Sequence, residues 1–207
     1  MAPTIFYSWQ SDTPSKTNHA FIKACLDEAL ESLVKDGRVE EAPRLDHDMK
    51  GVNGDEDVYA TILEKIDTCD IFVADVTIVA LTKAGKQIPN PNVLLELGYA
   101  SKAAGSKRII KVMNTAYGLP EKDKFPFDMA HKRWPYQFNV PETMTGGERD
   151  KVRPEIAREF ADIIHGILTE VGEKVIPPPA FPEAASVWQN QLSSGWGPRR
   201  VCPSGIG

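Results

Sequence analysis

The chain holds only three cysteines among 207 residues, Cys25, Cys69 and Cys202, and no two share a CxxC spacing. An odd, scattered set excludes an oxidised disulfide framework and points to a reducing, cytoplasmic setting. No apolar run approaches the roughly 20 residues that cross a bilayer. The opening "MAPTIFYSWQ" has neither the basic n-region nor the apolar h-region of a secretory signal. Neither GxGxxG nor GxxxxGK[ST] occurs, so the usual dinucleotide and NTPase phosphate cradles are not indicated. GxSxG is absent as well, and no Cys/His pairing suggests a nucleophile with its base. Excess positive charge is also lacking: the formal net charge is -5. That balance excludes a surface built to wrap nucleic acid, and Lys107, Arg108 and Lys111 read as solvated flanks of a strand.

What is present is an ordinary globular composition, 42% hydrophobic and 26% charged, enough for one domain with a sizeable core. "TIFYSW" (Thr4–Trp9) reads as a first strand. A helical pattern follows from Asn18 to Lys35, with Phe21, Ile22, Cys25, Leu26, Ala29, Leu33 and Val34 at helical spacing, ended by Asp36-Gly37. A weaker strand ends near Asp46. A helix over Asp57–Asp67, capped at Asp55 or the residue before it, leads to "IFVADV" (Ile71–Val76), a strand covered on both faces. After a loop rich in Lys, Gly and Pro, Asn90 caps a helix with Pro91 at its first position and Gly105 as its stop. "RIIKVMN" (Arg108–Asn114) is a further strand, Tyr136–Phe138 a short fifth one, and a last helix spans Arg153–Val171.

Strands alternating with helices predict an α/β fold, a flavodoxin-like three-layer sandwich with a mainly parallel sheet of about five strands. The domain is read as residues 1–175. Residues 176–207 are read as a Pro-rich linker and tail, or as the start of a module that this chain does not contain.

In such a sheet the loops after the strands gather at one edge. Ser8, Trp9, Gln10, Ser11 and Asp12 follow the first strand, and Asp46, His47, Asp48, Gly51 and Gly54 the second. Asp75 ends the third, and Asn92 and Glu96, four apart, share a face of the next helix. Each has a plainer reading: Trp9 as cover for the sheet edge, the aspartates as turn and cap residues. His47 between two aspartates does not amount to a metal set. Periodicity alone leaves Glu96 either on a solvated face or partly desolvated at the mouth of the crevice.

Three blocks in this order, "IFYSWQSD", "LDHDMKGVNGDEDVYATILEKIDTCDIFVADVT" and "NPNVLLELGYA", resemble bacterial Toll/interleukin-1 receptor-like (TIR-like) domains. The resemblance covers Thr4 to the final helix. It implies cleavage of NAD, as substrate and with no cofactor, at the nicotinamide–ribose bond. Glu96 is the matching catalytic glutamate; on this reading Trp9 stacks on a planar ring of the substrate, Ser8 and Asp46 line the pocket, and Asn92 and Asp75 orient their neighbours. Asn92 is the candidate donor that keeps Glu96 ionised. Self-association, a sensor or activator partner and a role in anti-phage immunity are also implied, without nucleic acid or membrane. The chain carries "NPNVLL" where other TIR branches have a Trp-Cys pair before the glutamate.

"ELGYA" is also similar to nucleoside 2-deoxyribosyltransferases, whose equivalent glutamate attacks the anomeric carbon. Both families place a carboxylate beneath a ribose and break an N-glycosidic bond. A nucleoside N-glycosidase or transferase, and a catalytically silent assembly scaffold, therefore stand as alternatives.

Overall fold

The computed structural model describes residues 2–47, 58–126 and 134–172. Four parallel pairings join β1 (Thr4–Ser8), β2 (Arg44–Asp46), β3 (Ile71–Asp75), β6 (Ile109–Asn114) and β7 (Tyr136–Phe138) in the order β2-β1-β3-β6-β7. The register runs Ile5 to Ile71 and Phe72 to Ile109 across the middle of the sheet.

Side-chain alternation sorts the core into two layers. Ile5, Tyr7, Ile71, Val73, Ile110 and Val112 pack beneath α1 (His19–Lys35) and α4 (Gly146–Gly172). Phe6, Phe72, Ala74 and Met113 face α2 (Val58–Thr68) and α3 (Pro91–Ala103) through Ile66, Val93, Leu97 and Ala100. Every residue of β3 is buried, as its unbroken apolar run requires. This is the three-layer α/β sandwich expected, and its strand order is flavodoxin-like once the hairpin described below is set aside.

The element boundaries follow local chemistry, with four departures from the sequence reading. First, α1 begins at His19 with Asn18 at its N-cap, but the Asn18 side chain makes no capping bond and is drawn instead into the interior. Its far end closes as expected, with Gly37 at φ +66, and Val34, placed on the apolar stripe, is 40% exposed.

Second, the segment read as a loop after β3 contains an antiparallel hairpin, β4 (Ile78–Leu81) with β5 (Gln87–Pro89). Its strands are too short to show alternation. Gln87 fastens it to the β6–β7 connection, donating from Nε2 to the Leu119 carbonyl (2.6 Å) and accepting from the Glu121 N–H (3.0 Å).

Third, the last helix starts at Gly146 rather than Arg153 and carries Pro154 inside it. The missed signal is Thr145-x-x-Glu148, a reciprocal cap in which the Thr145 N–H and hydroxyl donate to Glu148 while the Glu148 N–H donates back. Thr145→Ala is expected to lower the melting temperature by about 2–4 °C, measured by circular dichroism.

Fourth, of the three basic residues read as solvated, Lys107 is exposed but Arg108 and Lys111 are half-buried. The cap expected at Asp55 and the residues from 173 onward lie outside the described residues. Among those described, no helix is long and apolar enough to cross a membrane.

Candidate functional site

β1 and β3 are neighbours in the sheet, yet the chain after β1 turns to α1 on one face and the segment after β3 leads to α3 on the other. The carboxyl ends of strands whose connections diverge in this way are where parallel α/β sheets place their ligands. Ser8, the last residue of β1, and Glu96, on the second turn of α3, meet there. The Ser8 hydroxyl donates to Glu96 Oε2 at 2.6 Å across 88 residues of sequence.

Ser8 is buried and Glu96 half-buried. Burial pushes the Glu96 carboxyl above the ordinary carboxylate range, and the Ser8 hydroxyl bond pulls part of the way back. Among the described residues Ser8, not Asn92, is the donor to this carboxylate. Asn92 is exposed, and its backbone N–H donates to the capping Asn90 Oδ1 at 2.8 Å.

The position of α3, and so of Glu96, is fixed at its start. Asn90 Oδ1 caps the N–H groups of Asn92 and Val93, Pro91 occupies the first turn, and Asn90 Nδ2 donates to Asp12 Oδ2 at 2.6 Å. One side chain thus ties the helix bearing Glu96 to the loop that follows Ser8.

Trp9 continues β1 but packs on the opposite face. Its indole stacks on His19, ring centres 3.8 Å apart and planes 10° apart, and its Nε1–H donates to the His47 carbonyl at 2.9 Å. The residue remains 38% exposed.

Asp46 ends β2 and pairs with Lys65 of α2 at 3.0 Å, both side chains about one-fifth exposed (20% and 19%). Its charge is therefore committed to holding β2 against α2. The remainder of the second loop, with Asp48, Gly51 and Gly54, lies outside the described residues.

Asp75 lies below this rim, fully buried, at the centre of a polar network. Oδ1 accepts from the Thr77 N–H (3.0 Å) and hydroxyl (2.6 Å), and Oδ2 from Asn18 Nδ2 (3.1 Å) and Gln10 Nε2 (3.3 Å). Gln10 Oε1 in turn accepts from the N–H groups of Asp12 and Thr13 and so shapes the loop after β1. Asn114 closes the circuit: its N–H donates to Thr77 Oγ1 and its side chain bonds Thr17, Asn18 and Val140. Burial raises the Asp75 pKa, and the bonds from Thr77, Asn18 and Gln10 oppose that rise. No part of Asp75 is exposed to a ligand; it holds the ends of β1, β3 and β6 and the start of α1 together.

Asn18, Thr77, Asn114 and His19 were not singled out from sequence. The available signal was a polar residue at or just past the end of an apolar strand, as in Asn114 and Thr77.

The site and sheet define an α/β chain of flavodoxin-like topology with a carboxylate–hydroxyl pair at its switch point. No protein-family model matches the chain, and no curated protein matches it. Among solved structures it is similar to the flavodoxin-like domain of a Synechococcus sp. protein, at 13% identity and TM-score 0.39, over 79% of this chain and 98% of that one. It is also similar to a 2-desoxiribosyltransferase from Leishmania mexicana, at 14% identity and TM-score 0.34, over 73% and 97%.

Proposed function

We propose that the chain cleaves the N-glycosidic bond between nicotinamide and ribose in NAD, releasing nicotinamide and a linear or cyclic ADP-ribose product, within bacterial anti-phage defence. The observation that carries this reading is the 2.6 Å bond from Ser8 to Glu96 at the switch-point crevice. It presents a half-buried carboxylate whose one described donor is a hydroxyl, a group that a ribose hydroxyl can replace.

Breaking the bond builds oxocarbenium character at the anomeric carbon. A carboxylate held beneath the sugar stabilises that charge, the more so where water is partly excluded. The electron pair of the breaking C–N bond returns to the pyridinium nitrogen, so nicotinamide leaves neutral and needs no acid. Water then adds to the anomeric carbon and loses a proton, or an adenine nitrogen adds and closes a ring. One carboxylate therefore suffices, provided that it is ionised, and the Ser8 bond favours that form.

The test is chromatography of NAD incubated with concentrated protein, beside Glu96→Gln. Nicotinamide from the wild type alone supports the reading. Intact NAD from protein that assembles would overturn it. A nucleobase released from a nucleoside, with a glycosyl adduct on Glu96 by intact mass, would replace it with transferase or nucleosidase chemistry.

The raised Glu96 pKa makes a prediction independent of substrate. A carboxyl whose folded pKa lies above its unfolded one stabilises the fold at acid pH and loses that contribution as pH rises through the folded value. Glu96→Gln has no such loss. Its melting temperature, relative to wild type, is expected to rise as pH climbs from the ordinary glutamate range through the raised one; thermal melts in a pH series check the sign.

A further inference from the structure

Ser8 and Trp9 are adjacent in sequence but serve opposite faces of the sheet. The Ser8 hydroxyl reaches Glu96 on the α3 side, whereas the indole of Trp9 lies on His19, the first residue of α1. Tyr7, two residues earlier and on the same face as Trp9, has its ring centre 6.2 Å from that of His19. A ring on the sugar whose bond breaks at Glu96 is joined to the reacting carbon by one bond and so sits close to Ser8 and Glu96. The Trp9 indole, turned to His19 on the α1 side, is better placed for another part of the ligand.

Trp9 is suited to such a role. The stack on His19 and the bond to the His47 carbonyl fix the indole before any ligand arrives, so little side-chain freedom is lost on binding. His19 occupies one face, and 38% of the residue remains exposed. Trp9 and His19 border a cleft of about 320 Å³ completed by residues 10–15, the volume of about ten water molecules. Asp12, on the cleft wall, repels phosphate and can accept from an exocyclic amino group, which favours a base over a phosphate there.

We infer that Trp9 takes the nucleobase remote from the bond cleaved at Glu96, so that the site selects a dinucleotide over a mononucleotide or nucleoside. This rests on the proposed glycosidic cut at Glu96 and adds which end of the substrate occupies each side of the rim. The pyrophosphate linker of a dinucleotide would cross the rim between them.

Isothermal titration calorimetry of the full chain with AMP, and separately with nicotinamide mononucleotide, tests the assignment. Base–aromatic stacking of this kind predicts that Trp9→Ala weakens AMP binding at least tenfold, while Trp9→Phe, which keeps a flat apolar face, loses threefold or less. Nicotinamide mononucleotide affinity is expected to change less than twofold in Trp9→Ala. The inference is overturned if AMP affinity is indifferent to Trp9→Ala, or if mononucleotide affinity falls as far as that of AMP. Release of nicotinamide by the wild type is scored separately, so failure of the glycosidic reading is distinguishable from failure of the base assignment.

Discussion

Glu96→Gln is expected to reduce nicotinamide release from NAD by at least a hundredfold, with the circular dichroism spectrum unchanged. The substitution keeps shape and volume and leaves an amide oxygen that can still accept from Ser8. What it removes is the full negative charge facing the anomeric carbon. Losing one preorganised electrostatic partner of a developing charge costs on the order of 10²–10³ in rate. A merely structural Glu96 would behave otherwise: turnover would follow stability, and the stability of the Gln variant relative to wild type is predicted to rise with pH. Stopped-time chromatography, with thermal melts on the same preparations, separates the two. Wild-type turnover by a folded Gln variant would remove Glu96 from the mechanism.

The second large effect concerns Asp75, where the loss is expected in stability rather than chemistry. Every group aimed at this buried carboxylate is a donor: the Thr77 N–H and hydroxyl, Asn18 Nδ2 and Gln10 Nε2. Neither amide can turn to offer its oxygen, and the Thr77 hydroxyl oxygen already accepts from Asn18 Nδ2 and the Asn114 N–H. Gln10 Oε1 is held by the N–H groups of Asp12 and Thr13, and Asn18 Oδ1 by Asn114 Nδ2. A protonated carboxyl would have no acceptor among these partners, so the geometry is built for the charged form even though burial works against it. Asp75→Ala leaves several buried donors unanswered and opens a cavity. We expect a loss of about 3–5 kcal/mol, a fall of about 10–15 °C in melting temperature for a domain of this size. Asp75→Asn keeps the volume but turns an amino group toward donors, and should cost about 1–3 kcal/mol. Urea denaturation of both variants checks the order. Equal stability of Asn and wild type would mean that the network tolerates a neutral group at its centre.

These two carboxylates illustrate what could be read before the fold was known. Both stood out in sequence as charges inside or at the end of apolar segments, and both were candidates for the same rim. Their different characters depend on burial and partners. Asp75 faces inward because strand alternation and the packing of α1 close over it; Glu96 leans to the crevice because α3 starts at Asn90, whose position is set by Asp12. Asp46 shows the same limit from another direction: its place at the end of β2 was legible, but its partner Lys65 lies 19 residues further on, on α2.

By itself the sequence determined the secondary elements with strong periodicity or clear caps. Ile71–Asp75 declared a fully buried strand, Asn90-Pro91 a helix start and Gly37 a helix end, because each signal is complete within a few residues. Alternating strands and helices then implied the parallel sheet. Tertiary structure alone decided which side chains meet: Ser8 with Glu96, Trp9 with His19, Asn18 with Asp75. It likewise fastened the hairpin Ile78–Pro89, through Gln87, to Leu119 and Glu121 more than 30 residues away. The physical reason is common to all of them. Helix and strand propensities act between near neighbours, whereas hydrogen bonds, stacking and desolvation depend on groups brought together only when the two layers close on the sheet.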